Sequence, residues 1–316
     1  MDEAIGGYFS LEVNGDGQEY HNGLYRLNSA RNAIAYVASK RKYKRVFVSK
    51  YTCGVVIDVL RNNGIKVEYY DINQHLELET IPELENEEAL LYINYFGFKD
   101  DYISQLSKQI NNLIIDNAQA FYSTPLANVD TVYSPRKFFG LPDGGYLSST
   151  IQVDIDLPKD VSINRFSHLI KRLDLGAERG YKDFKENDKS LEGEPIKEMS
   201  SLTHSILTNI NYHFAKKTRN ENYNFLHDNL SSINTLQIKY DTNKSPMVYP
   251  LLIEDVGLRN ELIKNKIFVA TYWPDVMSRC ANDSLESYFA NHILPLPIDQ
   301  RYSIEEMKKI ASIILK

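Results

Sequence analysis

The chain has 316 residues, a composition in the ordinary globular range and a net charge of −6. That length can bury a large core and suits two domains better than one. The lack of a basic excess argues against a general nucleic-acid binder and leaves room for a local basic pocket that takes a small phosphorylated ligand. Cys53 and Cys280, the only cysteines, are far apart in sequence and suggest neither a disulfide scaffold nor a zinc site.

Met1 to Gly7 lack the basic segment and apolar stretch of a secretory leader. No apolar run approaches the about 18 residues of a membrane span, so a cytoplasmic protein without membrane contact is expected. The first helical pattern follows Asn28 and Ser29, either of which can cap it. Ala30, Ala33, Ile34, Val37 and Ala38 share one face of that helix. Arg45 to Ser49 reads as a strand. Val55, Val56, Val59 and Leu60 form a second helical stripe, which Gly64 can stop. Lys66 to Ile72 and Ala89 to Phe96 read as strands, Asp101 to Gln109 as a helix, and the apolar run after Asn112 as a buried strand. This alternation predicts an α/β fold with a mostly parallel central sheet and helices on both faces.

From Ser162 to Leu230 the pattern is mainly helical, interrupted from Glu178 to Glu198 by a polar stretch that reads as a mobile loop or an inter-subunit arm. Met247 to Ile253 predicts a strand, Gly257 to Asn265 a helix, and Phe268 to Ala270 a further strand. Ser303-Ile304-Glu305-Glu306 is a capping box opening the last helix. The expected organisation is a large α/β domain over 1–205 and a small α+β domain over 206–316. The run from Glu83 to Glu88 reads as a solvated loop, and Trp273 as a core or interface anchor.

Two elements carry candidate chemistry. Leu113-Ile114-Ile115-Asp116-Asn117-Ala118-Gln119 ends a strand in a carboxylate, where open α/β sheets present ligands. Val132-Tyr133-Ser134-Pro135-Arg136-Lys137-Phe138-Phe139 then puts a lysine among aromatics ahead of Asp143-Gly144-Gly145. A lysine beside an arginine ordinarily reads as a solvated pair, but desolvation can turn such a lysine into an amine nucleophile. A lysine and an aspartate so placed could hold the two ends of pyridoxal phosphate.

In these residues the chain resembles the DegT/DnrJ/EryC1/StrS sugar aminotransferases, from about Leu27 to the C-terminus and most weakly between Gly176 and Glu198. The resemblance rests on Asp116-Asn117-Ala118-Gln119 and on Lys137 followed by Gly144-Gly145. It implies the PLP-dependent transferase fold of type I and pyridoxal 5′-phosphate as cofactor. Lys137 is then the catalytic residue, joined to the aldehyde as an imine and later moving the proton. Asp116 is the partner of the pyridinium nitrogen, and Gln119 the partner of the ring hydroxyl oxygen, with Ala118 leaving room for the ring. Ala30 and Arg31, at the first helix N-terminus, and Ser134 are the implied phosphate contacts, Ala30 standing where the family usually has glycine. The implied substrates are a nucleotide-linked keto sugar and an amino-acid donor, glutamate. The implied partner is a second copy in a homodimer. At the position where the family stacks an aromatic on the ring this chain has Cys53. Either Cys53 packs there, or Tyr51 does, or the register differs by a residue or two. A second reading, a non-catalytic cofactor- or sugar-binding regulator or scaffold of the same fold, is weakened by the presence of both Lys137 and Asp116.

Overall fold

A computed structural model of the chain describes residues 7–13, 17–154, 156–239, 241 and 243–316; the leader reading from Met1 to Gly6 falls outside them. Strand β1 (Tyr25–Leu27) leads into helix α1 (Ala30–Lys40), capped by the Ser29 side chain, which accepts from the Asn32 amide at 3.2 Å. There follow β2 (Arg45–Ser49), α2 (Gly54–Asn62), β3 (Lys66–Tyr70), β4 (Glu88–Ile93), α3 (Asp100–Leu106), β5 (Leu113–Asn117), β6 (Asp130–Tyr133) and β7 (Gly145–Ser148).

These seven strands form one sheet in the order β1-β7-β6-β5-β4-β2-β3. From β6 through β3 every pairing is parallel, while β7 runs antiparallel to both β6 and β1. Strands β4 and β5 are buried along their whole length. That is the condition of central strands covered on both faces, and it explains their continuous apolar runs. The parallel run places the C-terminal ends of β2, β4, β5 and β6 along one edge, where α1 and α2 also begin.

The second half holds α4 (Ser167–Leu175), α5 (Ala177–Ser190), α6 (Ser201–Leu207), α7 (Tyr212–Leu230), β8 (Val248–Leu252), α8 (Leu258–Lys264), α9 (Val276–Arg279), α10 (Leu285–His292), β9 (Ile293–Pro297) and α11 (Ile304–Ile314). Strands β8 and β9 pair antiparallel. The capping box on α11 forms as read, the Ser303 amide donating to Glu306 at 2.8 Å. Among the described residues no helix is long and apolar enough to cross a membrane.

Three expectations are corrected. The polar stretch from Glu178 is helical, not a loop, as far as Ser190. Gly176 turns the chain at φ 87°, and α5 then packs on α4 through the Lys171–Asp183 ion pair at 2.7 Å and the close approach of Gly180 to the His168 carbonyl. Tertiary support replaces the missing apolar stripe. Phe268 to Ala270 is not a strand, because β8 takes β9 as its partner instead. In the acidic run, Glu88 is buried, opens β4 and pairs with Arg45 at 3.0 Å.

Candidate active site

Asp116 sits near the C-terminal end of β5, held in register by β4 and β6. Buried there, its carboxylate has one hydrogen-bond donor among the described residues, the Ala118 amide at 2.8 Å. Burial pushes its pKa above the ordinary carboxylate range, while the Ala118 amide and the charge of Lys137 pull it down. A buried carboxylate so short of donors is suited to a cationic N–H partner.

Lys137 follows β6 in a tight turn, Pro135–Lys137, whose first residue brings a preset φ. The turn is fixed from below. Arg219 of α7, fully buried, donates to the Phe138 carbonyl at 3.2 Å and stacks over the Phe138 ring at 4.6 Å, and Gln300 donates to the same carbonyl at 2.9 Å. Arg219 also binds the carbonyls of Pro246 and Met247, so one side chain ties the lysine turn to the strand β8 region. Burial lowers its pKa to about 10.

The Asp143-Gly144-Gly145 turn does more than reverse the chain. The fully buried Asp143 accepts from the Ser200 amide at 2.9 Å, from the Ser200 hydroxyl at 2.7 Å and from the Thr203 hydroxyl, thereby anchoring α6. The Gly144 amide donates to the Asn28 carbonyl at 2.7 Å, and Gly145 lies so close to Ser29 and Ala30 that a side chain there would meet backbone. The two glycines hold the start of α1 against the lysine loop.

The result is one cavity lined by every sequence-predicted residue: Ala30, Arg31, Asp116, Gln119, Ser134 and Lys137. Gln119 Oε1 accepts from the Phe96 amide at 2.8 Å, which leaves its Nε2 as the donor not used in that contact. Cys53, the residue before α2, lines the cavity. Burial raises its thiol pKa, and the charges of Lys137 and Arg31 lower it. Tyr51 instead is buried in an aromatic cluster, stacked on Tyr95 at 5.7 Å, so the cavity wall belongs to Cys53. Trp273, read as a core or interface anchor, touches Tyr51 edge-on at 4.8 Å and also lines the cavity. It packs against the core and walls the cavity at once, held in a left-handed conformation at φ 57°.

Two charged lining residues were not read as part of the site from sequence. Arg136 looked like half of a solvated pair, yet its Nε is buried without a hydrogen-bond partner and its guanidinium reaches Asp188 at 3.4 Å. Asp188 comes from α5, the segment whose helix was not expected, and lies 4.0 Å from Arg31. No signal short of the fold could have joined them.

The fold is that of the pyridoxal-phosphate-dependent aminotransferases. The sugar aminotransferase CalS13 from Micromonospora echinospora superposes with a TM-score of 0.65 at 15% identity, covering 92% of this chain and 86% of that one. A DegT DnrJ EryC1 StrS aminotransferase from Brucella abortus gives 0.60 at 14%, over 92% and 85%. The PLP-form of Spr1654 from Streptococcus pneumoniae gives 0.63 at 16%, over 92% and 85%. No family model and no curated protein sequence matches the chain.

Proposed function

We propose that the protein is a pyridoxal-phosphate-dependent aminotransferase that converts a keto sugar, nucleotide-linked, to an amino sugar for a surface glycan, with glutamate as amino donor. The observation that carries this reading is the convergence of Lys137 and Asp116 on one cavity at the C-terminal edge of the sheet. Structural likeness to sugar aminotransferases supports it.

The residues present fit the cofactor. Asp116 is a buried carboxylate short of donors, Gln119 keeps an amide donor, and Thr52 Oγ1 and Arg136 Nε in the wall are buried without partners. The amides at the start of α1, with Arg31 and Ser134, offer an anion seat. When bound, the cofactor supplies an electron-accepting ring conjugated to the substrate carbon. Asp116 would hold the proton on the ring nitrogen. Gln119 Nε2 would be the donor for the ring oxygen. Lys137 Nζ, tethered in the same cavity, would be the base that takes and returns the substrate proton. Arg219 and Gln300 hold the turn that aims it.

A homodimer in the cytoplasm belongs to the same reading. The apolar Leu173 and Leu175 of α4, 84% and 64% exposed, support an interface on that side. The test is an amine-transfer screen over keto-sugar nucleotides with glutamate, using wild type and Lys137→Ala. Turnover in the wild type and none in a folded Lys137→Ala variant is the expected result. Equal turnover in both removes the assignment.

A further inference from the structure

Arg31 and Arg136 reach the same cavity from different elements, α1 and the turn before Lys137. Their side chains are 13% and 14% exposed, and they share one carboxylate, Asp188, at 4.0 and 3.4 Å. Two nearly buried cations side by side repel each other and call for an anion. Asp188 supplies it from a position 52% open to solvent, near the end of α5. The adjacent Asn187 is buried, donates to the Pro142 carbonyl at 3.2 Å, and leaves its own oxygen unsatisfied. The C-terminal turn of α5 is thus seated beside the cavity by the buried Asn187 and Leu191 and tied to the two arginines through Asp188.

We propose that Arg31 and Arg136 form the seat of a phosphate group, and that Asp188 is an internal occupant of that seat which an incoming phosphate displaces. The identity of the phosphate-bearing ligand rests on the cofactor reading above. The charges decide the exchange. Two guanidinium groups balance a phosphate dianion, and a carboxylate left between them would face that dianion at contact distance. Arg136 Nε, buried and unpartnered, is a donor that the carboxylate leaves unused and a second anionic oxygen can take. Once Asp188 leaves, the end of α5 loses its ionic tie to the lysine loop. Binding of the phosphate is thereby coupled to loosening of α5, whose other end reaches Lys266 through Glu178 at 3.4 Å.

The experiment titrates the full-length apoprotein with inorganic phosphate, pyridoxal phosphate and pyridoxal, comparing wild type with Asp188→Asn, and follows hydrogen exchange across α5. Asp188→Asn should tighten phosphate and pyridoxal phosphate by roughly two- to fivefold, the scale of a half-exposed ion pair. Pyridoxal, which lacks the phosphate, should bind both proteins alike. In the wild type, peptides covering Ala177–Ser190 should exchange faster after loading with either phosphate ligand, a readout that needs no variant. Unchanged or weaker phosphate binding by Asp188→Asn, or α5 exchange that slows or stays constant on loading, overturns the proposal. If Asp188→Asn tightens phosphate while neither protein takes up pyridoxal phosphate, the seat stands and the cofactor reading falls.

Discussion

The Phe96 amide donates to Gln119 Oε1 at 2.8 Å, and Phe96 reaches it with a left-handed backbone at φ 56°. A bulky residue in that region carries strain of about 1 kcal/mol or more. Here the Phe96 amide fixes which end of the Gln119 carboxamide is left to donate. Replacing Gln119 by Glu keeps the acceptor for Phe96, removes the donor and adds a negative charge. Absorbance titration should show pyridoxal phosphate affinity reduced about tenfold or more, the scale of a hydrogen bond to a charged oxygen. Unchanged affinity would mean that Gln119 serves Phe96 alone.

Asp116 should show opposite signs in two measurements. In the empty protein burial outweighs the Ala118 amide and the charge of Lys137 and raises its pKa, so the ionised group destabilises the fold. Asp116→Asn, which can still accept from Ala118, should unfold at equal or higher denaturant concentration than wild type when empty. Its cofactor affinity and transamination rate should fall by at least an order of magnitude. A variant that is both less stable and equally active would contradict this account of the carboxylate.

His21 gives the stability a pH signature. Its Nε2 lies 2.6 Å from the Phe121 carbonyl, its ring packs on Tyr133 at 4.1 Å, and burial lowers its pKa from 6.5 to about 4. Between those values the unfolded chain binds a proton that the folded chain refuses, so stability falls as pH drops from 6.5 towards 4. The loss is about 3 kcal/mol at the lower end. Denaturant unfolding of His21→Gln should lose that part of the slope and match the wild-type slope above pH 7.

Gly145 should not tolerate a side chain. A Cβ there would fall 2.5 Å from the Ala30 amide nitrogen and closer still to the Ser29 carbonyl carbon. Gly145→Ala is expected to cost about 1–3 kcal/mol in chemical denaturation and to weaken phosphate binding, since it pushes on the first turn of α1. Normal stability in this variant would contradict the close approach of the two loops.

The sequence was most legible where local patterns and core packing agree. Strand β2 runs from Arg45 to Ser49, the Ser303–Glu306 box caps α11, and Ser29 caps α1 as the order of polar and apolar residues predicts. The candidate residues were legible as separate motifs, because a carboxylate ending a buried strand and a lysine before a glycine turn each carry their own signal. What was not legible depends on contacts between distant segments. Helix α5 forms because α4 pairs with it, Asp143 matters because Ser200 and Thr203 reach it, and Arg136 meets a carboxylate because Asp188 arrives from 52 positions away. Trp273 faces the cavity because its backbone turns left-handed, which its side chain alone does not announce.

Reductive trapping tests the central claim most directly. The protein is incubated with pyridoxal phosphate, treated with borohydride, digested and mapped by mass spectrometry. The account predicts a pyridoxyl-phosphate adduct on the peptide containing Lys137, absent from Lys137→Ala and strongly reduced in Asp116→Ala. An adduct spread over other lysines, or retained in full by Lys137→Ala, would contradict it.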